Sequence, residues 1–137
     1  MSLSAYQSRQ AAAETPVGLE LRLIGFVTQA LGTARDPVQR IRALQRNHDM
    51  WLAFISDLAG EGNALPREVR AQLISLGLWS MRTSLDAMSD PDRSLQSLID
   101  VNKEIAGGLA DQTRAQQSAA QQAALAASKE APSVTAV

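Results

Sequence analysis

The stretch of sequence that decides the fold is residues 71–81, AQLISLGLWSM, which carries no charged side chain over its whole length. If this stretch is helical, its apolar residues lie on every side of the helix rather than along one stripe. A helix with that pattern is central in a bundle or is covered by a partner. Pro66 comes shortly before it, with Asn63 as a candidate cap, so we predict that a helix begins after this proline.

Three more prolines follow a small polar residue, which is a typical helix start because the polar side chain caps the first turn and proline needs no acceptor there. They are found in Thr15-Pro16, Asp36-Pro37 and Asp90-Pro91. Asp36 and Gln39 also have the spacing of a capping box. Apolar residues after each proline recur close to every 3.6 positions, and Gly107-Gly108 is predicted to end the last of these helices.

These patterns predict an all-α fold, a small bundle of four main helices. From residue 111 onward the composition changes to Ala and Gln, with Leu125 as the single leucine. Alanine and glutamine favour helix, but so little apolar surface predicts weak docking. We therefore divide the chain into a helical domain, residues 1–109, and an Ala/Gln-rich C-terminal extension, residues 110–137, that is helical or disordered.

The composition excludes several classes of function. With 13 basic and 14 acidic side chains, the 137-residue chain has a net charge of −1, too neutral for a dedicated polyanion binder. It has no cysteine and one histidine, His48. Nucleophilic catalysis needs a base beside the nucleophile. His48 lies on an apolar stripe, a position more typical of a boundary residue with a hydrogen-bond partner than of a catalytic base. We expect no enzyme, no metal site and no cofactor.

The location of the protein is predicted from the lack of long apolar runs. The first residues do not contain the apolar run of a secretory signal. The longest uncharged apolar stretches also fall short of the roughly 20 residues that a membrane-spanning helix needs. We expect a cytoplasmic protein without membrane insertion.

Two patterns each have a functional interpretation and a neutral one. Gly18, Gly25 and Gly32 are spaced by seven residues, which indicates either the close approach of another helix or chance. Arg42 and Arg46 share a helix face, which suits phosphates, a partner's carboxylates or plain solvation.

Several segments occur together in a characteristic order. They are Ala5-Tyr6, residues 21–31 (LRLIGFVTQAL), residues 47–51 (NHDMW), residues 63–66 (NALP) followed by 70–79 (RAQLISLGLW), and finally Asn102, Ile105 and Gly108-Leu109. Together they resemble the flagellar biosynthesis regulator FlaF family over about residues 3–109. The NALP block with its downstream Ile-Ser-Leu run is the most specific part of the resemblance. The Ala/Gln-rich extension departs from the family pattern.

The resemblance implies a small cytoplasmic helical protein of flagellated alphaproteobacteria that is needed for flagellin production and export. It implies flagellin as a partner and a chaperone role beside the regulator FlbT, which acts on flagellin messenger RNA. The alternative is a regulator of flagellin translation that acts through FlbT or the messenger RNA, with the arginine-bearing second helix as contact surface. Within this alternative, direct contact with RNA is the less expected route, because the sequence around these arginines lacks interleaved aromatic residues.

A flagellin carrier needs an apolar surface, because unassembled flagellin has apolar stripes that would otherwise self-associate. We predict this surface on the third helix, with arginines at its rim and tryptophans as anchors. For each tryptophan taken singly, a place in the core is at least as good an interpretation as a role as anchor. The predicted contact residues are Trp51, Arg70, Ile74, Leu78, Trp79, Met81 and Arg82.

Overall fold

A computed structural model describes residues 16–130 of the chain. It contains four helices: α1, Pro16–Thr33; α2, Pro37–Ala59; α3, Arg67–Met88; and α4, Gln96–Glu130. No strand occurs within this range, which confirms the predicted all-α bundle. None of these four helices combines the length and apolar character that crossing a membrane requires.

The helices pack in chain order, and α4 returns to α1. The contacts of α2 with α3 and of α1 with α4 are extensive, whereas α3 and α4 share only a small contact. Most of the buried apolar core comes from α1 and α2, and α3 contributes a single alanine. The core residues are Ile24, Val27, Leu31, Ala43, Leu44, Met50, Trp51, Ala87, Leu95 and Leu98.

Helix α2 begins as the sequence predicts. The side chain of Asp36 accepts a hydrogen bond from the backbone N–H of Gln39 at 2.8 Å, and Pro37 occupies the first turn. Gln39 Oε1 accepts in turn from the backbone N–H of Arg35 at 3.0 Å, one residue earlier than in a capping box. Two backbone donors are satisfied at this helix start, so α2 has a well-defined beginning.

Helix α1 begins at Pro16, and α3 begins directly after Pro66, as the prolines predict. Thr15 lies outside the described residues. Asn63 Oδ1 accepts from the N–H of Leu65 at 3.0 Å, which closes a turn before α3. No side chain caps the first turn of α3, so Asn63 shapes the loop and does not cap the helix.

The predicted start of the fourth helix at Asp90-Pro91 is wrong. These residues belong to a turn, and α4 begins at Gln96, whose N–H donates to Ser94 Oγ at 3.2 Å. Arg40 of α2 holds this turn, because its Nη2 donates to the carbonyl oxygens of Asp90 and Arg93 at 3.0 and 2.7 Å. Because the side chain of a distant residue satisfies these carbonyl oxygens, the segment forms a loop turn and not the first turn of a helix.

The predicted end of the fourth helix at Gly107-Gly108 is also wrong, since α4 continues through both glycines to Glu130. Each glycine disfavours helix by only about 1 kcal/mol, and the alanine and glutamine residues that follow favour it. Every described side chain from residue 114 to 129 is exposed, including Leu125. The extension is therefore helical up to Glu130, and its last turns are surrounded by solvent.

Gly25 and Gly32 of α1 do not mark a close approach of another helix. A Cβ atom added at Gly25 would have no neighbour within 4 Å, and one at Gly32 would make an ordinary 3.9 Å contact with Ile99. The close approach in this fold is made by a different glycine, on α3.

Candidate functional site

Helix α3 turns small residues toward the bundle and large apolar residues outward. Its buried residues are Gly77, Ser80, Thr83, Ser84 and Ala87. Its exposed large apolar residues are Val69, Leu76, Leu78, Trp79 and Leu85. The apolar pattern of residues 71–81 therefore does not make α3 a central helix. Much of its apolar surface stays uncovered by the described chain.

Gly77 allows α2 to approach α3 closely. A Cβ atom at this position would lie 2.7 Å from Trp51 Cε3 and 2.9 Å from Cδ1 and Cγ1 of Ile55. Because real Cβ contacts are essentially never that short, the present separation of the two helices requires glycine.

A buried hydrogen-bond network fixes three helices relative to one another. Asn47 of α2 donates from Nδ2 to the hydroxyls of Ser80 and Ser84 of α3, both at 2.9 Å. Its Oδ1 accepts from Asn102 Nδ2 of α4 at 2.9 Å, and Asn102 Oδ1 accepts from Trp51 Nε1 at 3.0 Å. Because buried amides are costly to leave unpaired, this network specifies which face of α3 turns inward.

The structure corrects the predicted role of Trp51 as a surface anchor. Its side chain is only 2% exposed, its indole N–H is bonded to Asn102, and its ring packs edge-on against Phe54. Inside the bundle, the apolar body of the ring is thus packed and its polar N–H has a hydrogen-bond acceptor. Trp51 is a core residue.

The predicted apolar contacts on α3 do not share one face. Ile74 and Met81 are half-buried, and Leu78 is 47% exposed. With Leu85, these residues are spaced by four, three and four, so they follow one side of the helix. We call these four residues the outer ridge. Trp79 is also exposed but points about 100° away from Leu78, and therefore lies off this ridge.

The two predicted rim arginines have different surroundings. Arg82 is exposed, next to the outer ridge. Arg70 is half-buried, and its Nη1 donates to the carbonyl oxygen of Leu58 at 3.5 Å, near the end of α2. Arg70 is thus used within the fold, and Arg82 is the more available of the two.

Sequence reasoning missed a cavity at the end of the bundle where the loop between α2 and α3 lies. It measures about 50 Å³ and adjoins a wider cleft of about 460 Å³ along the same loop, with which it shares lining residues. We call the smaller volume the inner part and the wider cleft the outer part. We call the two together the bundle-end cavity. The inner part is lined by Glu20, Trp51, Phe54, Asp57, Leu58, Asn63, Leu65, Leu73, Ile105 and Leu109. The feature of the sequence that could have indicated this cavity is Leu65, a large apolar residue within a turn sequence.

The mouth of the bundle-end cavity is acidic. Glu20 and Asp57 line both of its parts, and Glu61 lines the outer part. Burial raises the pKa of Glu20, and the charge of Asp57 raises it further. Asn63 Nδ2 donates to Asp57 Oδ2 at 3.2 Å. No lysine or arginine is among the described residues that line either part.

The basic face of α2 contains an aromatic contact that the sequence did not indicate. The guanidinium carbon of Arg46 lies 5.6 Å from the ring centroid of Phe26 on α1, within cation–π range. Phe26 is 59% exposed, and Arg42, one turn before Arg46, is exposed as well. The pair was not visible in the sequence because its members come from different helices.

His48 is the single imidazole of the chain. His48 is half-buried, and its Nδ1 lies 3.2 Å from Oδ1 of the neighbouring Asp49. Within residues 16–130, no group of three or more His, Cys, Asp or Glu residues could hold a metal ion.

Fold and surface together define a class of protein: a small four-helix bundle with an uncovered apolar helix side. The family model described as Flagellar protein FlaF matches residues 2–109, and the chain belongs to this family. The match confirms the resemblance that the sequence segments indicated and associates the protein with the flagellum. Comparisons with curated proteins and with solved structures gave no match.

Proposed function

We propose that this flagellar protein is a flagellin-binding secretion chaperone that couples flagellin synthesis to export and filament assembly. It acts in the cytoplasm, without catalysis or a cofactor. The observation that supports this proposal best is the outer ridge of α3, where Leu78 and Leu85 are 47% and 51% exposed. Large apolar side chains that neighbour one another on a surface are typical of sites that bind another protein.

The ridge suits the binding of a helix because it is rigid before binding. The buried bonds from Asn47 to Ser80 and Ser84 hold α3 in one rotation about its axis. A surface that is already ordered loses little conformational entropy when a partner docks. An amphipathic segment of unassembled flagellin could therefore place its apolar side on Leu78 and Leu85, with Arg82 at the edge.

Isothermal titration of the protein with flagellin from the same organism tests the proposal. Burying a leucine contributes roughly 1.5–3 kcal/mol, so Leu78→Asp or Leu85→Asp should weaken binding about tenfold or more. Leu125→Asp is the matched control, since Leu125 is 63% exposed on the C-terminal part of α4. Circular dichroism should remain helical in all three variants.

Two results would contradict the chaperone proposal in different ways. If the wild-type protein binds no flagellin of its organism, the function itself is wrong. If Leu78→Asp and Leu125→Asp weaken binding equally, flagellin is bound elsewhere and the outer ridge is not the site.

A second candidate function, regulation through flagellin messenger RNA or FlbT, is supported by the contact between Arg46 and Phe26. Exposed aromatic rings and arginine guanidinium planes are the groups on which the bases of single-stranded RNA stack. Binding to the flagellin leader RNA should then weaken steeply with salt, and Arg46→Gln should reduce the salt slope by about one unit. A salt-insensitive signal would rule out direct RNA contact, and titrations with and without FlbT would show whether FlbT is the contact.

A further inference from the structure

We propose that the bundle-end cavity binds a segment of the client flagellin that carries a large apolar side chain with a lysine or arginine about one helical turn away. The apolar side chain enters the inner part, and the cation lies at the acidic mouth. The identity of the client rests on the proposed function. The chemistry of the segment rests on the cavity itself.

The inner part of the bundle-end cavity fits an apolar group. Seven of its ten lining residues are apolar, and they come from α2, α3, α4 and the loop between α2 and α3. Its volume of about 50 Å³ exceeds the roughly 10–15 Å³ that one water requires, and a water needs two to four polar partners. Three of the ten lining residues, Glu20, Asp57 and Asn63, are polar, and the last two are bonded to each other, so most of the lining favours an aliphatic or aromatic side chain.

The mouth of the bundle-end cavity selects for positive charge. Glu20, Asp57 and Glu61 line the outer part, and no described lining residue there is a lysine or arginine. The charge of Asp57 raises the pKa of Glu20, so the two carboxylates repel one another. A cation from the partner would relieve that repulsion, whereas an added carboxylate would increase it.

The cavity lies apart from the outer ridge, and its residues are held by different contacts. Leu65 is placed by the bond from its N–H to Asn63, and Asn63 also donates to Asp57. The loop thereby positions both an apolar wall and a carboxylate of the same cavity. This arrangement offers two adjacent recognition elements, one apolar and one anionic, in a fixed relation.

Binding of three helical peptides to the full-length protein tests the chemistry. They are identical except for one pair of positions four residues apart, which carries Leu and Lys, Leu and Glu, or Ala and Lys. The readout is the Trp51 indole N–H signal in ¹H–¹⁵N spectra, because Trp51 lines the cavity. A Trp79→Phe sample assigns this signal, since the chain has two tryptophans.

The Leu and Lys peptide should shift the Trp51 signal saturably, and the other two should bind at least tenfold more weakly. Glu20→Gln or Asp57→Asn should weaken the Leu and Lys peptide about threefold to tenfold and reduce its salt dependence. Asp86→Asn is the matched control, an exposed carboxylate on α3 outside the cavity lining. Equal binding of the three peptides, or equal effects of the Glu20 and Asp86 variants, would overturn the proposal.

Competition experiments separate the choice of client from the chemistry. Flagellin that displaces the Leu and Lys peptide supports the proposal in full. If flagellin binds the protein without displacing the peptide, the chaperone function stands and the cavity assignment is wrong. If the peptide binds selectively and flagellin does not bind, the proposed function fails instead. Displacement by a peptide of residues 1–15, but not by flagellin, would assign the cavity to this chain's own N-terminal segment and overturn the flagellin assignment.

Discussion

Replacing Gly77 by alanine tests whether the close packing of α2 on α3 is as rigid as the structure indicates. The new Cβ atom would lie 2.7 Å from Trp51 Cε3 and 2.9 Å from Ile55 Cδ1. Trp51 cannot turn away easily, because its indole N–H is bonded to Asn102 and its ring packs against Phe54. The two helices must therefore separate to accept the methyl group.

The size of the effect of Gly77→Ala follows from two opposing terms. Overpacking a core destabilises by about 1–3 kcal/mol, and alanine is favoured over glycine in a helix by about 1 kcal/mol. The added Cβ atom would lie closer than 3.0 Å to two neighbouring side chains, and one of them, Trp51, is held in place. The cost of overpacking therefore lies in the upper half of its range. We expect a net loss of about 1–2 kcal/mol in the free energy of unfolding.

Gly25→Ala is the control for this prediction, because a Cβ atom at Gly25 would meet nothing within 4 Å. Only the helix preference remains there, so stability should rise by roughly 0.5–1 kcal/mol. Urea unfolding followed by helical circular dichroism measures both changes. If Gly77→Ala is as stable as the parent protein, or changes in the same direction as Gly25→Ala, the inferred rigid contact does not exist.

Three other changes test separate features of the structure. Asn102→Ala leaves the buried indole N–H of Trp51 without its acceptor and opens a cavity, so urea unfolding should show a loss of about 3 kcal/mol; a loss below 1 kcal/mol would contradict the network. Asp36→Ala removes the α2 cap and should lower the free energy of unfolding by about 1 kcal/mol, whereas Asp36→Asn should retain most of it. Burial and the charge of Asp57 raise the pKa of Glu20 above its ordinary 4.5, so the folded state holds the proton more tightly than the unfolded state does. The contribution of Glu20 to stability should therefore fall as pH rises from about 4.5 through the raised pKa. Glu20→Gln should abolish this component and be more stable than wild type at pH 7, and a less stable variant there would refute the assignment.

The start of α2, which neighbouring residues set, was predictable from the sequence, whereas features set by distant contacts were not. The α2 start at Asp36-Pro37 depends on a bond to Gln39, three residues from Asp36, so its signal is local. The turn at Asp90-Pro91 depends on Arg40, some fifty residues earlier, and nothing near the proline indicates it. The bundle-end cavity likewise requires side chains from four helices and a loop, so only Leu65 gave any local sign of it.

The orientation of α3 shows why an apolar pattern alone could not separate core from binding surface. Large apolar residues on all sides of α3 left its inward face undetermined. Shape and hydrogen bonding determine that face, because Gly77 admits Trp51, and Ser80 and Ser84 accept from Asn47. These small residues recur at helical spacing, together with Ala87, and that stripe is the sequence signal for the buried side. Leu78 must then point outward, since it follows Gly77 by about 100°. The same small-residue stripe that holds the bundle together is therefore what turns the outer ridge toward solvent.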